Sequence, residues 1–306
     1  MKSRSLKTTF DLPDPSAVTG PTQYQLTKIV ATVGPTSEQA EPLKLCVKAG
    51  LHIMRLNFSH ATPEEVELRC TNLTAAVTKL TPHAVSRTQD VVSVLLDTKG
   101  PELRTGKLAH DVSGHDTVEL VAGETVTLHA SAGTLPDPAA GSTAADLLIE
   151  FPVLAHVLQP DRLVLLDDGA VVLTVRSADA ATGTVKAVVQ NSGSLRSRAG
   201  VNLPLADTAQ HLPALSEKDK QDIVYGMKAA DIDFVAASFV QTAQHVIDIR
   251  KHLMQTAKHM PEWKGKPLPL IISKIETASA LQHFDEILDV SDGIMVARGD
   301  VRCVIS

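Results

Sequence analysis

Residues 27–58 read TKIVATVGPTSEQAEPLKLCVKAGLHIMRLNF, and this stretch decides the fold. Thr27 to Val33 is a β-branched run that predicts a strand. Ser37 to Ala49 carries a helical apolar period, with Ser37 placed to cap it and Gly50 to end it. Leu51 to Phe58 is a second strand. The cycle repeats outward: Thr62 to Leu80 reads as a helix with Pro63 at its first position, and Val91 to Leu96 (VVSVLL) as a buried strand. From about Pro101 to Pro204 the rhythm changes to short Val, Thr, Gly and Asp-rich runs such as VELVAGETVTLHA (118–130) and DRLVLLDDGAVVLTV (161–175), which predict a small β-domain of hairpins. Alternation then resumes with helices over Ser216–Ala230, Ala243–His259 and Thr277–Leu288 and strands over Phe234–Ala237, Leu270–Ile275 and Gly293–Val296. The expected architecture is α/β, a (β/α)8 TIM-type barrel with roughly six of its eight strands present and a small all-β domain inserted after the third. A doubly wound open sheet is the alternative, but its G-x-G-x-x-G fingerprint is absent. The expected divisions are an arm over 1–23, barrel residues 24–101, a β-barrel lid over 102–205, and the rest of the barrel over 206–306.

The composition narrows the function. The chain has 306 residues, 43% of them hydrophobic and 21% charged, the balance of a folded protein. No run approaches the ~18 apolar residues of a spanning helix, so no membrane embedding is expected. With 29 basic against 35 acidic residues the formal charge is −6, which removes any general attraction for nucleic acid or anionic lipid. Phosphate binding must then be local. Cys46, Cys70 and Cys303 form no C-x-x-C pair, which argues against a disulfide framework or a zinc site and for a reducing, cytoplasmic compartment. Lys2, Arg4 and Lys7, followed at once by Asp11, Pro13, Asp14 and Pro15, read as a flexible arm, an organelle-targeting segment being the alternative.

Function in a barrel collects where strands end. The second strand ends RLNFSH (55–60), where alternation puts Arg55, Asn57 and Ser59 on one face. The third ends LLDTKGPELRTG (95–106): two buried leucines run into Asp97, Thr98 and Lys99. Asp97 could cap a turn, yet Asn57, Ser59, Asp97 and Thr98 together form a set of hard oxygen donors suited to an alkali or alkaline-earth cation. Arg104, a little further on, could pair with phosphate or a carboxylate. The fifth strand ends IISKIETA (271–278), with Lys274 and Glu276 pointing the same way. A plain ion pair is the bland reading. DGIMVARGD (292–300) adds Asp300, and carboxylates from two neighbouring strands, Glu276 and Asp300, are what Mg²⁺ takes from a protein. Arg55, Arg104 and Lys274 beside such a site suit phosphoryl transfer, in which the protein mainly positions groups and neutralises charge.

RLNFSH, LLDTKGPELRTG, GVNLP (200–204) with SEKD (216–219) following, AASFV (236–240), IISKIE (271–276) and DGIMVARGD, in this order, resemble the pyruvate kinase family over about residues 27–300. The resemblance implies transfer of the phosphoryl group of phosphoenolpyruvate to ADP, giving pyruvate and ATP, with Mg²⁺ and K⁺ as cofactors. It implies that Arg55 contacts the transferred group and that Lys274 stabilises charge on the phosphoryl group and enolate. Glu276 and Asp300 bind Mg²⁺, and Gly299 and Asp300 meet the substrate, Gly299 through its backbone. Asn57, Ser59, Asp97 and Thr98 hold K⁺, while Asn57, Phe58, Ser59, His60 and Arg104 lie along the nucleotide phosphates. Glu102 stands where K⁺-dependent members keep a glutamate. Two departures carry expectations of their own. Where the family often has a lysine pair before GVNLP, this chain has Arg198-Ala199, so the lid's grip on nucleotide would pass to Arg198 or be lost. After Asp300 the sequence reads VRCVIS, where the family continues with a helix, two strands and a regulatory domain. The expectation is a C-terminally truncated member with impaired activity, lacking the subunit interface through which the full-length family forms homo-oligomers. The competing readings are a non-catalytic fragment or splice form and a Mg²⁺-dependent lyase of the phosphoenolpyruvate/pyruvate barrel type.

Overall fold

The computed structural model describes residues 27–80, 92–111, 113–204, 206, 208 and 210–299. The expected arm over 1–23 and the candidate ligand Asp300 lie outside them. The first part of the chain runs β1 (Ile29–Thr32), α1 (Ala40–Lys48), β2 (Leu51–Asn57), α2 (Pro63–Leu80) and β3 (Ser93–Asp97). The inserted part holds β4 (Leu103–Arg104), β5 (Thr117–Leu120), β6 (Thr125–His129), β7 (Asp146–Leu148), the short α3 (Leu154–Val157), β8 (Leu163–Leu166), β9 (Val171–Asp179), β10 (Thr184–Val189), β11 (Gly193–Arg196) and β12 (Gly200–Asn202). The last part runs α4 (Glu217–Ala229), β13 (Phe234–Ala237), α5 (Ala243–Lys258), β14 (Leu270–Ile275), α6 (Ala278–Gln282), α7 (Phe284–Val290) and β15 (Gly293–Val296).

Strand order settles the topology. The six strands β1-β2-β3-β13-β14-β15 form one sheet, every neighbouring pair parallel. Successive strands are laid down in one direction with no reversal. A doubly wound sheet reverses at its switch point, whereas a barrel does not. The sheet is therefore part of a TIM-type barrel, six strands of which fall among the described residues. β13 lies directly against β3, so the whole insertion is looped out of the sheet.

Both faces are covered at the centre of this sheet, where Leu95 and Leu96, on opposite faces of β3, are both fully buried; the outer strands are not, with Ile29 and Val30 of β1 43% exposed and Val296 of β15 62%. Aspartates just before two strands reinforce the register. Asp233 accepts the Val94 amide of β3 at 2.8 Å, and Asp292 accepts the Ile271 amide of β14 at 2.8 Å. The inserted part has its own core around Leu128, Leu147, Leu173 and Val185, between a seven-stranded sheet and the β5/β11 ribbon. It departs and returns side by side, since β12 pairs with β4 through Gly200 and Arg104.

Among the described residues four of the seven α-helices start on a side-chain cap, and α1, α3 and α7 do not. Thr62 and Glu65 bond reciprocally at the start of α2, and Ser216 and Asp219 do so at α4. Ser37, by contrast, does not cap α1. Its hydroxyl is held in a tight turn with Gly34, so the helix starts three residues later than expected, at Ala40. The helix expected over 277–288 is broken at His283, where φ −104° and ψ +21° leave the helical region; its amide still makes the helical bond to the Ser279 carbonyl, which the ring Nδ1 also meets.

Among the described residues Cys46 and Cys70 are free thiols, and Cys303 lies outside them. Burial pushes the Cys70 thiol up from 9.0 to about 11, only partly offset by the neighbouring Arg69 charge. Alkylation of Cys70 by iodoacetamide at pH 8 is therefore expected to be about 100-fold slower than that of an exposed cysteine, because the thiolate is the reacting species. Peptide mapping after timed alkylation checks this, and rapid labelling of Cys70 in the folded protein would contradict the burial argument.

Candidate functional site

The parallel register brings the C-terminal ends of β2, β3, β13 and β14 together. Arg55 of β2 donates through Nε to Asp97 Oδ2 at 2.6 Å, and its terminal amine lies 2.6 Å from the same oxygen. Lys274 of β14 uses all three of its protons: toward Asp97 Oδ1 at 3.1 Å, Glu276 Oε1 at 3.0 Å and Ser238 Oγ at 2.8 Å. The two carboxylates are almost sealed from water, with side chains 1% and 2% exposed, and Lys274 is 12% exposed. Burial alone would lower the Lys274 pKa. The adjacent Glu276 and Asp97 charges outweigh it and hold the ammonium above its ordinary value. These four groups balance as two cations and two anions, so an anionic substrate and a divalent cation entering together would leave the balance little changed.

Backbone strain serves the same cluster. Phe239, just past β13, has φ +56°, a left-handed conformation unfavourable for an aromatic residue. In that conformation its amide donates to Glu276 Oε2 at 2.6 Å. Ser238 links three groups: its hydroxyl also donates to the Thr98 carbonyl at 2.6 Å and lies 3.3 Å from Asp97 Oδ1. Its amide donates to Thr98 Oγ1 at 3.0 Å.

Of the residues singled out from sequence, Arg55, Asp97, Thr98, Lys274 and Glu276 thus meet in one cluster. Asn57 follows on the next strand position, paired with Asp97 across the sheet, and its Oδ1 accepts the Ser59 amide at 3.1 Å. Ser59, His60 and Arg104 instead line a neighbouring cavity of about 340 Å³, shared with Lys99, Glu102, Glu150 and Arg198, between the strand ends and the inserted part. There Arg104 donates to Glu102 Oε2 at 3.0 Å and to the Arg198 carbonyl at 2.6 Å. Within the Arg198-Ala199 pair, Arg198 lines the cavity and Ala199 is packed in the β-domain core. The Phe58 ring is turned into the barrel core, edge-on to Tyr225, and does not line the cavity. Gly299 is exposed, and a Cβ there would meet no neighbour within 4 Å.

The sequence motifs include Lys99, Ser238, Phe239 and the first turn of α4 but assign them no role, and Glu150 falls in no motif. The available signal was AASFV: it ends a buried strand like the other junctions, but carries no charge. Among the described residues no group of three or more His, Cys, Asp or Glu side chains forms a ready metal cluster, and no helix is long and apolar enough to cross a membrane.

Comparison with known proteins agrees with this geometry. Residues 24–306 match the family described as "Pyruvate kinase, barrel domain". The chain is similar to proteins named pyruvate kinase from Staphylococcus haemolyticus (37% identical over 275 residues), Geobacillus stearothermophilus (36% over 276) and Sporosarcina psychrophila (38% over 276). Each match covers 90% of this chain and 42% of the relative, so the chain spans less than half the length of these relatives. A barrel sheet, a β-domain looped out after its third strand, and a cluster of Arg55, Asp97, Lys274 and Glu276 at the strand ends agree with a match over nearly the whole sequence: the chain belongs to the pyruvate kinase family.

Proposed function

We propose that the chain transfers the phosphoryl group of phosphoenolpyruvate to ADP. The bond from the enol oxygen to phosphorus breaks, a bond from the terminal ADP oxygen to phosphorus forms, and the enolate left behind takes a proton to give pyruvate. The observation that carries this reading is the Lys274 ammonium held 3.0–3.1 Å from two buried carboxylates, with the Arg55 guanidinium locked onto one of them. Lys274 is thereby kept charged where negative charge moves between the phosphoryl group and the enolate oxygen. Arg55, 26% exposed, neutralises and orients the phosphoryl oxygens. Gly299 offers its backbone to the substrate carboxylate. Asn57 to His60 and Arg104 lie along the nucleotide phosphates, a reading supported by Ser59, His60 and Arg104 lining one cavity together with Arg198.

Hard cations fit the donors present. Glu276 is a hard carboxylate donor at a strand end, its side chain 2% exposed and its two oxygens turned to Lys274 and to the Phe239 amide. With Asp300 it would hold Mg²⁺, which when bound supplies charge neutralisation to phosphoryl and carboxylate oxygens. Asn57, Ser59, Asp97 and Thr98 would hold K⁺ through oxygen alone, and Glu102 beside them supports a K⁺ requirement. Two separate hydrophobic cores support the proposed division at 101/102, while past the one at 205/206 Ala206 and Leu212 still pack against the inserted part's core.

The test is a coupled assay of the purified chain with phosphoenolpyruvate, ADP, Mg²⁺ and either K⁺ or Na⁺. ADP-dependent pyruvate formation that is faster in K⁺ is the expected result. Pyruvate released equally without ADP would replace this reading with a lyase or phosphatase, and indifference to the monovalent ion would remove the K⁺ assignment.

A further inference from the structure

The first turn of α4 reaches out to two loops at once. Lys218 Nζ donates to the Phe58 carbonyl at 2.9 Å, in the middle of the Asn57–Ser59 turn that follows β2. One residue later, Asp219 Oδ1 accepts the Gly100 amide at 3.1 Å, in the turn that follows Asp97 and Thr98. Asp219 is fully buried and its two oxygens divide the work: Oδ2 completes the capping box with Ser216, leaving Oδ1 for Gly100. Lys218 likewise has an intrahelical partner in Asp222, so helix stability alone does not call for its bond to Phe58. Both outward contacts span more than a hundred residues of chain, and each ends on a backbone atom within two residues of a proposed K⁺ donor.

We propose that Lys218 and Asp219 are positioning residues: the first turn of α4 latches the β2 and β3 loops at the separation that lets Asn57, Ser59, Asp97 and Thr98 surround K⁺ in preference to Na⁺. The proposal rests on the K⁺ reading of those four residues. An ion cage assembled from two loops keeps its size only if a third, rigid element fixes the gap. A helix whose cap is already satisfied provides that element.

The experiment follows the unfolding midpoint of the full chain as KCl replaces choline chloride at constant ionic strength, with a parallel NaCl series. The variants are Lys218→Met, Lys218→Arg and, as a control that breaks only the intrahelical pair, Asp222→Asn. In Lys218→Met the K⁺ concentration giving half of the stabilisation is expected to rise about tenfold, the scale of losing a charge-assisted hydrogen bond, and the K⁺ over Na⁺ preference to shrink. Lys218→Arg, which can still reach the carbonyl, should restore most of the affinity, and Asp222→Asn should leave it unchanged. A Lys218→Met chain that melts lower by the same amount in every salt, with its K⁺ midpoint unmoved, would show a merely structural lysine and overturn the proposal. A wild-type chain that responds alike to K⁺ and choline would instead overturn the K⁺ site itself, and the latch with it.

Discussion

Replacing Lys274 by Met is expected to lower turnover about 1,000-fold and to destabilise the fold by roughly 3–5 kcal/mol. The methionine fills much of the same volume but offers none of the three donors. Asp97 keeps Arg55, whereas Glu276, with a 2% exposed side chain, keeps the Phe239 amide but loses the ammonium 3.0 Å away. Removing one member of a buried ion cluster costs more than the pair contributes, because the remaining charge is left desolvated. Coupled assays and urea unfolding measure the two effects separately. A loss of less than tenfold in turnover in a folded variant would sink the assigned role of Lys274.

The pH dependence of the stability loss has a defined sign. The folded-state pKa of Lys274 is raised above the ordinary lysine value of 10.5, burial pulling it down and Glu276 with Asp97 pulling it up more strongly. Its stabilising contribution is then fully present below the unfolded-state value and lost as pH rises through the higher folded-state value. The stability difference between wild type and Lys274→Met should stay level from neutral pH to about pH 10 and shrink only beyond it. A difference that already falls between pH 7 and 9 would contradict this account.

Gly100→Ala is expected to be the second large effect, about 2–4 kcal/mol of stability with a loss of activity near 100-fold. Gly100 has φ +75°, which costs an alanine about 1 kcal/mol wherever it occurs. Here the added Cβ would also lie 2.8 Å from Ser238 Cβ and 2.9 Å from Phe239 Cδ2. Relief of that overlap must move the residues that hold the Lys274 ammonium and the Glu276 carboxylate. Gly114 separates the two contributions: its φ is +78°, but no atom lies within 4 Å of the Cβ position. Gly114→Ala should cost about 1 kcal/mol and leave activity intact. Equal unfolding midpoints for the two variants would show that strain alone, not packing against β13, accounts for Gly100.

The strands over Phe234–Ala237, Leu270–Ile275 and Gly293–Val296 are found at the positions expected from the sequence, because short apolar runs between polar turns have few other ways to be buried. Ser37 misleads, since the same hydroxyl that could cap a helix also closes a turn, and local pattern does not choose between them. Thr277–Leu288 misleads in another way. Its apolar spacing is continuous, while the backbone leaves helical geometry at His283, which ends one helix and begins the next. In the site, Arg55, Asp97, Lys274 and Glu276 were legible because a charge at the end of a buried apolar strand has no local reason to be there. Ser238 and Phe239 were not, since a hydroxyl and a backbone amide leave no such mark. Nor were Lys218 and Asp219, whose helical context explains them as surface and cap.

What the amino-acid order determined by itself is local and periodic: which segments become strands or helices, where the insertion begins, and which strand ends carry charge. Those properties depend on neighbours a few residues apart, with spacings set by the backbone. Only the tertiary structure decided that β3 lies against β13 across the whole insertion, that one lysine faces two buried carboxylates, and that one helical turn holds two distant loops. Those outcomes depend on which distant surfaces exclude water together, and that choice is made by packing of the whole chain.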